Sequence, residues 1–157
     1  MSDDRELDDP PALRSRAMKL LARREHTRAE LAGKLARHGA PEDVEQVVAD
    51  LERDGLQSDA RAAESYLRSH GARLGAARLR QTLRRKGVSS ELIDAGLEAG
   101  ELDAEATRAR AVWVRKFGTP PDDAREWARQ ARFLQGRGFG SEVIRRLLRG
   151  LAEEGSP

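Results

Sequence analysis

The chain has 157 residues and a formal charge of +2, with 36% charged, 38% hydrophobic and only 4% aromatic side chains. That length carries one compact domain or a short array of small repeats, and so few bulky residues argue against a single large core. No run approaches the ~18 consecutive apolar residues of a membrane span, the first residues lack the regions of a signal peptide, and the absence of cysteine excludes disulfides and thiol chemistry, so a cytoplasmic protein is expected.

Residues 1–11 hold Asp3, Asp4, Glu6, Asp8 and Asp9 before Pro10 and Pro11. With almost nothing apolar to bury, they are expected to form a disordered acidic tail. A first helix is expected over about 12–25. Thr27 and Glu30 then match a capping box, in which each side chain satisfies the other's free backbone N–H. Leu31 and Leu35 follow on one helical face, and Gly39 suits a left-handed helix stop. Pro41 fits a first helical position, with Glu42 and Asp43 beside the positive helix end. Val44, Val47, Val48 and Leu51 then form one apolar stripe.

The pattern recurs. Leu31, Leu35, Gly39 and Val44 align with Leu79, Leu83, Gly87 and Leu92 at a shift of 48. Leu35, Gly39 and Val44 align with Leu134, Gly138 and Val143 at a shift of 99. Ile144, Leu147, Leu148 and Leu151 complete a further stripe. Further helices, expected over about 59–70 and 104–117, precede the later pairs. No alternating run reads as a strand. The fold class expected is all-α: three tandem three-helix repeats stacked into an elongated, curved solenoid. The divisions are 12–57, 58–102 and 103–151, with a frayed tail over 152–157. Five of the six aromatics lie in the third repeat, as core residues or as anchors for a partner.

Little here suggests catalysis. His26, His38 and His70 are isolated and read as surface or loop positions. Gly136–Gly140 lacks the lysine of a phosphate loop and reads as a helix–helix turn that needs positive φ. A binding protein without cofactor or metal is expected. A helix-turn-helix reading is disfavoured, because the last helices of repeats one and two are acidic. Charge instead runs from −3 to +2 to +3 across 1–57, 58–102 and 103–157. Between Ser65 and Ser90 stand seven basic residues and no acidic one: Arg68, Arg73, Arg78, Arg80, Arg84, Arg85 and Lys86. Arg80 and Arg84 repel each other at i,i+4, a cost that an anionic partner would offset. This set is the expected polyanion contact. Arg129, Arg132, Arg137, Arg145, Arg146 and Arg149 are secondary candidates. A solvated charged face is the alternative.

The segment from Leu51 to Glu64, LERDGLQSDARAAE, resembles the signature joining the first two repeats of the RecX family. Arg78 to Val88, RLRQTLRRKGV, is similar to the family's R-I-x-x-x-L-x-x-K-G-I core, and Ala17 to Leu31 is similar to its first repeat. The resemblance spans about 12–150 and is looser in the third repeat. Ala62 and Leu74 stand where aromatics are usual. The resemblance implies a negative regulator of the RecA recombinase that lies in the groove of the RecA–single-stranded DNA filament. There it would block extension and suppress ATP hydrolysis and strand exchange, modulating recombinational repair and the SOS response. It implies RecA and its filament as partners, with weak contact to single-stranded DNA and double-stranded DNA as a further candidate. A monomer is expected, with a domain-swapped dimer as the alternative. The competing reading is a sequence-nonspecific DNA-binding repeat protein that acts without RecA.

Overall fold

The structure is a computed structural model that describes residues 6–99 and 102–155. Among these residues it contains helices and turns and no strand. No helix is long and apolar enough to cross a membrane. The expectations placed on residues 1–5, 156 and 157 lie outside the described residues.

The first repeat comprises α1 (Pro10–Arg23), α2 (Arg28–Leu35) and α3 (Pro41–Arg53). Helix α1 begins two residues ahead of the expected start. Asp9 caps it by accepting from the Ala12 N–H at 2.9 Å, and Pro10 and Pro11 suit the first turn, where no N–H is needed. Asp8 is tied as well, its N–H donating to His38 O at 2.7 Å. The acidic stretch is therefore ordered from at least Asp8 onward. Thr27 and Glu30 form the expected capping box in both directions. Leu13, Ala17, Leu31, Leu35, Val44, Val47, Val48 and Leu51 pack into one core. Each full burial of a leucine contributes about 1.5–3 kcal/mol.

The second repeat comprises α4 (Asp59–His70), a 3₁₀ turn (Gly71–Arg73), α5 (Ala76–Arg85) and α6 (Ser90–Glu98). The third comprises α7 (Glu105–Lys116), α8 (Ala124–Gly136) and α9 (Ser141–Glu154). Helix α9 carries Ala152 to Glu154, part of the expected frayed tail. A second core collects Ala109, Trp113, Leu134, Phe139, Ile144, Leu148 and Leu151.

The described chain divides into two compact units that do not follow the repeats. The first joins residues 6–65 with Arg84–Ile93, and the second joins Tyr66–Leu83 with the described part of 94–155. The middle repeat thus gives part of itself to each unit.

Each unit contains the same junction between consecutive repeats. In the first, Thr27 Oγ1 donates to Lys86 O at 2.5 Å. Gly87, at φ +88°, lies so close to Ala29 that an added Cβ would sit 2.6 Å from the Ala29 Cβ. In the second, the Gly75 N–H donates to Arg137 O at 2.8 Å. Gly138, at φ +90°, lies against Arg78. Thr27 and Gly75 differ by the 48-residue shift of the repeat. Lys86–Gly87 and Arg137–Gly138 differ by 51, the offset from second repeat to third. The start of one middle helix therefore seats on the turn that ends the next.

Gly39 departs from expectation. It is not among the positive-φ glycines. Its Cβ would instead run into the Leu13 side chain. Space, not backbone conformation, selects glycine there.

Candidate nucleic-acid interface

The seven basic residues of 65–90 fall on both units. Arg68, Arg73, Arg78 and Arg80 belong to the second, and Arg84, Arg85 and Lys86 to the first. The apolar side of α5 is set by buried Leu79 and Leu83. On the first unit, Arg84 and Arg85 are exposed and form no ion pair with a described residue. Lys86 is half-buried, 3.5 Å from Glu30 Oε2. Burial works against the Glu30 carboxylate, but Arg24, the Thr27 N–H and Lys86 outweigh it and hold its carboxyl below the usual range.

On the second unit, Arg68 is exposed and carries no ion pair with a described residue, and Arg73 donates to Ser69 O at 3.3 Å. Arg80 is neutralised by Asp94. Arg78 meets no described carboxylate. Its Nη1 lies 3.5 Å from Gly136 O at the end of α8, where the turn to α9 begins. That turn carries Arg137, whose guanidinium sits 5.2 Å from the centre of the Phe133 ring. Lys116, from the end of α7, lies 5.2 Å from the same ring centre. Phe117 packs edge-on to Phe133 at 5.4 Å. The structure thus gathers Arg78, Arg137 and Lys116 about one turn and one aromatic pair, with none of the three engaged by a described carboxylate.

The secondary candidates divide by their carboxylate neighbours. Arg129 lies over Phe117 at 5.1 Å but donates to both Glu126 oxygens at 2.7 and 2.8 Å. Those bonds, with one from Gln130, lower the Glu126 carboxyl to about 2. Arg145 and Arg146 share Glu142, each at 3.1 Å. Arg132 and Arg149 are exposed and unpaired with any described residue.

Sequence reasoning placed Lys116 among the third repeat's charges but not in the contact set. The spacing Phe133–Arg137 sets one cation a turn beyond that ring, whereas Arg129, a turn before it, lies over Phe117 instead. By charge alone Arg108 would count as another available cation. Arg108 is instead 7% exposed and donates to Leu74 O at 3.3 and 3.1 Å and to Asp103 O at 2.8 Å. Burial lowers its affinity for the proton, and its guanidinium serves as a brace across α7 and the segment before α5.

His26 lies in the loop between α1 and α2, as a loop position would, but not at the surface. It is 1% exposed. The neutral ring fits the site: Nδ1–H donates to Arg24 O at 3.0 Å, and Nε2 accepts from Lys34 Nζ at 3.0 Å. Burial, aided by the charges of Arg24 and Lys34, lowers its pKa despite the opposing Arg24 carbonyl and Glu30. The folded state therefore binds a proton less readily than the unfolded state. Stability is full above the ordinary histidine value of about 6.5 and falls as pH drops below it toward the folded pKa. Urea midpoints measured from pH 8 to 5 should decline in the wild type. The share owed to His26 should vanish in H26Q, which carries no titrating ring.

Among the described residues no group of three or more His, Asp or Glu could hold a metal ion. What the described residues offer is exposed cations without described carboxylate partners. Comparison with known proteins agrees in family. Three family models match in order: "RecX, first three-helix domain" over 14–51, "RecX, second three-helix domain" over 58–97 and "RecX, third three-helix domain" over 103–148. A Regulatory protein RecX of Leptothrix cholodnii is 49% identical over 139 residues, 88% of each chain. One of Pseudomonas entomophila is 47% identical over 147 residues, 92% of this chain and 94% of its own. The fold is similar to the crystal structure of RecX from Lactobacillus salivarius, with a TM-score of 0.73 at 20% identity over 93% of this chain and 98% of that one.

Proposed function

This chain belongs to the RecX family, and from that membership we propose that it acts in the cytoplasm as a non-catalytic negative regulator of the RecA recombinase. The observation that carries the reading is the ordered match of all three family domains, together with relatives of nearly equal length named as regulatory proteins. The protein binds the RecA–single-stranded DNA filament in its groove, bridges protomers and blocks extension. It thereby suppresses ATP hydrolysis and strand exchange, and so tempers recombinational repair and the SOS response. Stacked repeats suit a groove because they offer a continuous surface along one axis. Basic faces without carboxylate partners suit a filament that carries phosphate, since exposed unpaired cations can exchange counterions for it.

The test is the rate of ATP hydrolysis by RecA on single-stranded DNA as this protein is added far below the RecA concentration. Inhibition at such ratios is expected. Inhibition only when the protein is abundant enough to coat the DNA would mean simple competition and would sink the reading. Within it, Arg84→Ala with Arg85→Ala should weaken filament binding by about tenfold, with helicity unchanged. Arg80→Ala should change it by less than about twofold, because Asp94 already engages that guanidinium.

A further inference from the structure

We propose that Lys34 is a site of acylation by small acyl phosphates without an enzyme, the buried His26 ring being the base that takes its proton. The site lies wholly in the first unit and does not depend on RecA. Lys34 is exposed on α2, four residues after Glu30. That spacing ordinarily pairs an ammonium with a carboxylate on a helix. Here Glu30 is taken by others: Arg24 Nη2 at 2.9 Å, the Thr27 N–H at 3.2 Å and Lys86 Nζ at 3.5 Å. Lys34 makes no ion pair with a described carboxylate, and its Nζ instead donates to His26 Nε2 at 3.0 Å. A carboxylate would hold the ammonium in its protonated form. A neutral imidazole can accept the proton and release the amine.

The ring is placed for that task. Its Nδ1–H donates to Arg24 O at 3.0 Å, which fixes the tautomer and leaves the Nε2 lone pair to Lys34. It is 1% exposed, so water does not compete for Nε2. Burial disfavours the imidazolium, and the charges of Arg24 and Lys34 add to that against the pull of the Arg24 carbonyl and Glu30. A nucleophile, a base within hydrogen-bond reach and a third group that orients the base are the parts of an activated nucleophile. The donor class follows from charge. Arg37, three residues on, is likewise without a described carboxylate partner, so a phosphate leaving group is attracted where a neutral acyl donor is not.

In the reaction, His26 Nε2 takes one proton of the Lys34 ammonium and loses it to solvent. The freed lone pair forms the N–C bond to the acyl carbon. The C–O bond to phosphate breaks with its electron pair on the phosphate oxygen, which takes a second proton as the amide forms. Ammonium and acyl phosphate thus give amide, hydrogen phosphate and one proton. The product removes a charge beside the loop that bears Thr27, whose Oγ1 donates to Lys86 O. The mark therefore falls at the junction between the first two repeats.

The test incubates the full chain with acetyl phosphate at pH 8 and follows each lysine by peptide mass spectrometry. Lys19 is the reference, being exposed and without a described partner. Lys34 should be acetylated about tenfold faster than Lys19, less than the ~10²-fold that a positioned base gives in a closed site, because Lys34 is solvated. His26→Gln should bring Lys34 to within about twofold of Lys19, since an amide is no base. Circular dichroism checks that the variant folds. The wild type in urea beyond its unfolding midpoint makes the same comparison without a substitution, and there the advantage of Lys34 should disappear. Equal rates at Lys34 and Lys19 in the native chain would overturn the proposal. So would an advantage that survives in folded His26→Gln or in the unfolded wild type.

Discussion

Replacing Gly138 by alanine lowers the stability of the protein by about 3–5 kcal/mol and moves its urea midpoint down by more than about 1 M. Two independent costs add. At φ +90° the backbone is in the left-handed region, where a Cβ meets the neighbouring carbonyl and costs about 1–2 kcal/mol. The new Cβ would also fall 2.5 Å from Arg78 N and 2.9 Å from Arg78 Cα. Those atoms belong to the helix that seats on this turn, so the overlap cannot be relieved by rotating a side chain. Gly136→Ala, two residues away, is the control. It lies within α8 with nothing within 4 Å of its Cβ position and no positive φ. That change should be neutral or stabilise by up to about 1 kcal/mol, as glycine to alanine does in a helix. If both substitutions behaved alike, the junction would not be set by close approach at Gly138.

Gly87→Ala should be costly for the same conformational reason, its φ being +88°. Its Cβ would overlap one atom, the Ala29 Cβ, rather than three atoms of Arg78, so its penalty should be the smaller of the two. The pair shows what the two junctions share in physical terms. Thr27 and Gly75 share no chemistry, yet each places a donor on the carbonyl before the next turn glycine.

Much of the fold was legible because it is written in local periodicity. Val44, Val47, Val48 and Leu51 are all buried on α3, and the Thr27–Glu30 box forms as its spacing requires. These features depend only on residues within one or two turns. What could not be read depends on partners distant in sequence. Asp94 neutralises Arg80 from 14 positions away, and Leu74 O claims Arg108 from 34. Summed charge along a segment cannot show which cations are already engaged. The burial of His26 was missed although its partners are near in sequence. It does lie in a loop, but its isolation in sequence does not show that Lys34 and the Arg24 carbonyl enclose it. Charge counting marked a basic region but not the state of its cations. The ion pairs decide which of its cations are already engaged.

The aromatics of the third repeat lead to the second large effect. Trp113→Ala should cost about 3–5 kcal/mol, the usual loss for a buried tryptophan whose cavity does not collapse. Trp113 is 4% exposed and packs with Leu134, Phe139, Ile144, Leu148 and Leu151. Its Nε1–H donates to Gln130 Oε1 at 2.7 Å. Gln130 is itself buried, and its amide donates to Thr119 O at 3.0 Å and Glu126 Oε1 at 3.1 Å. The tryptophan therefore fills the core and also satisfies an acceptor that water cannot reach. Trp113→Phe separates the two roles. It keeps most of the apolar contact and removes the donor, leaving Gln130 Oε1 without it, which should cost about 1–3 kcal/mol beyond the lost volume. Urea denaturation of the two variants gives the comparison. If the phenylalanine variant matched the wild type, the hydrogen bond would contribute nothing and Trp113 would act by volume alone. If it matched the alanine variant, the buried amide network joining α7 to α8 would stabilise this core more than the apolar contacts of the indole do.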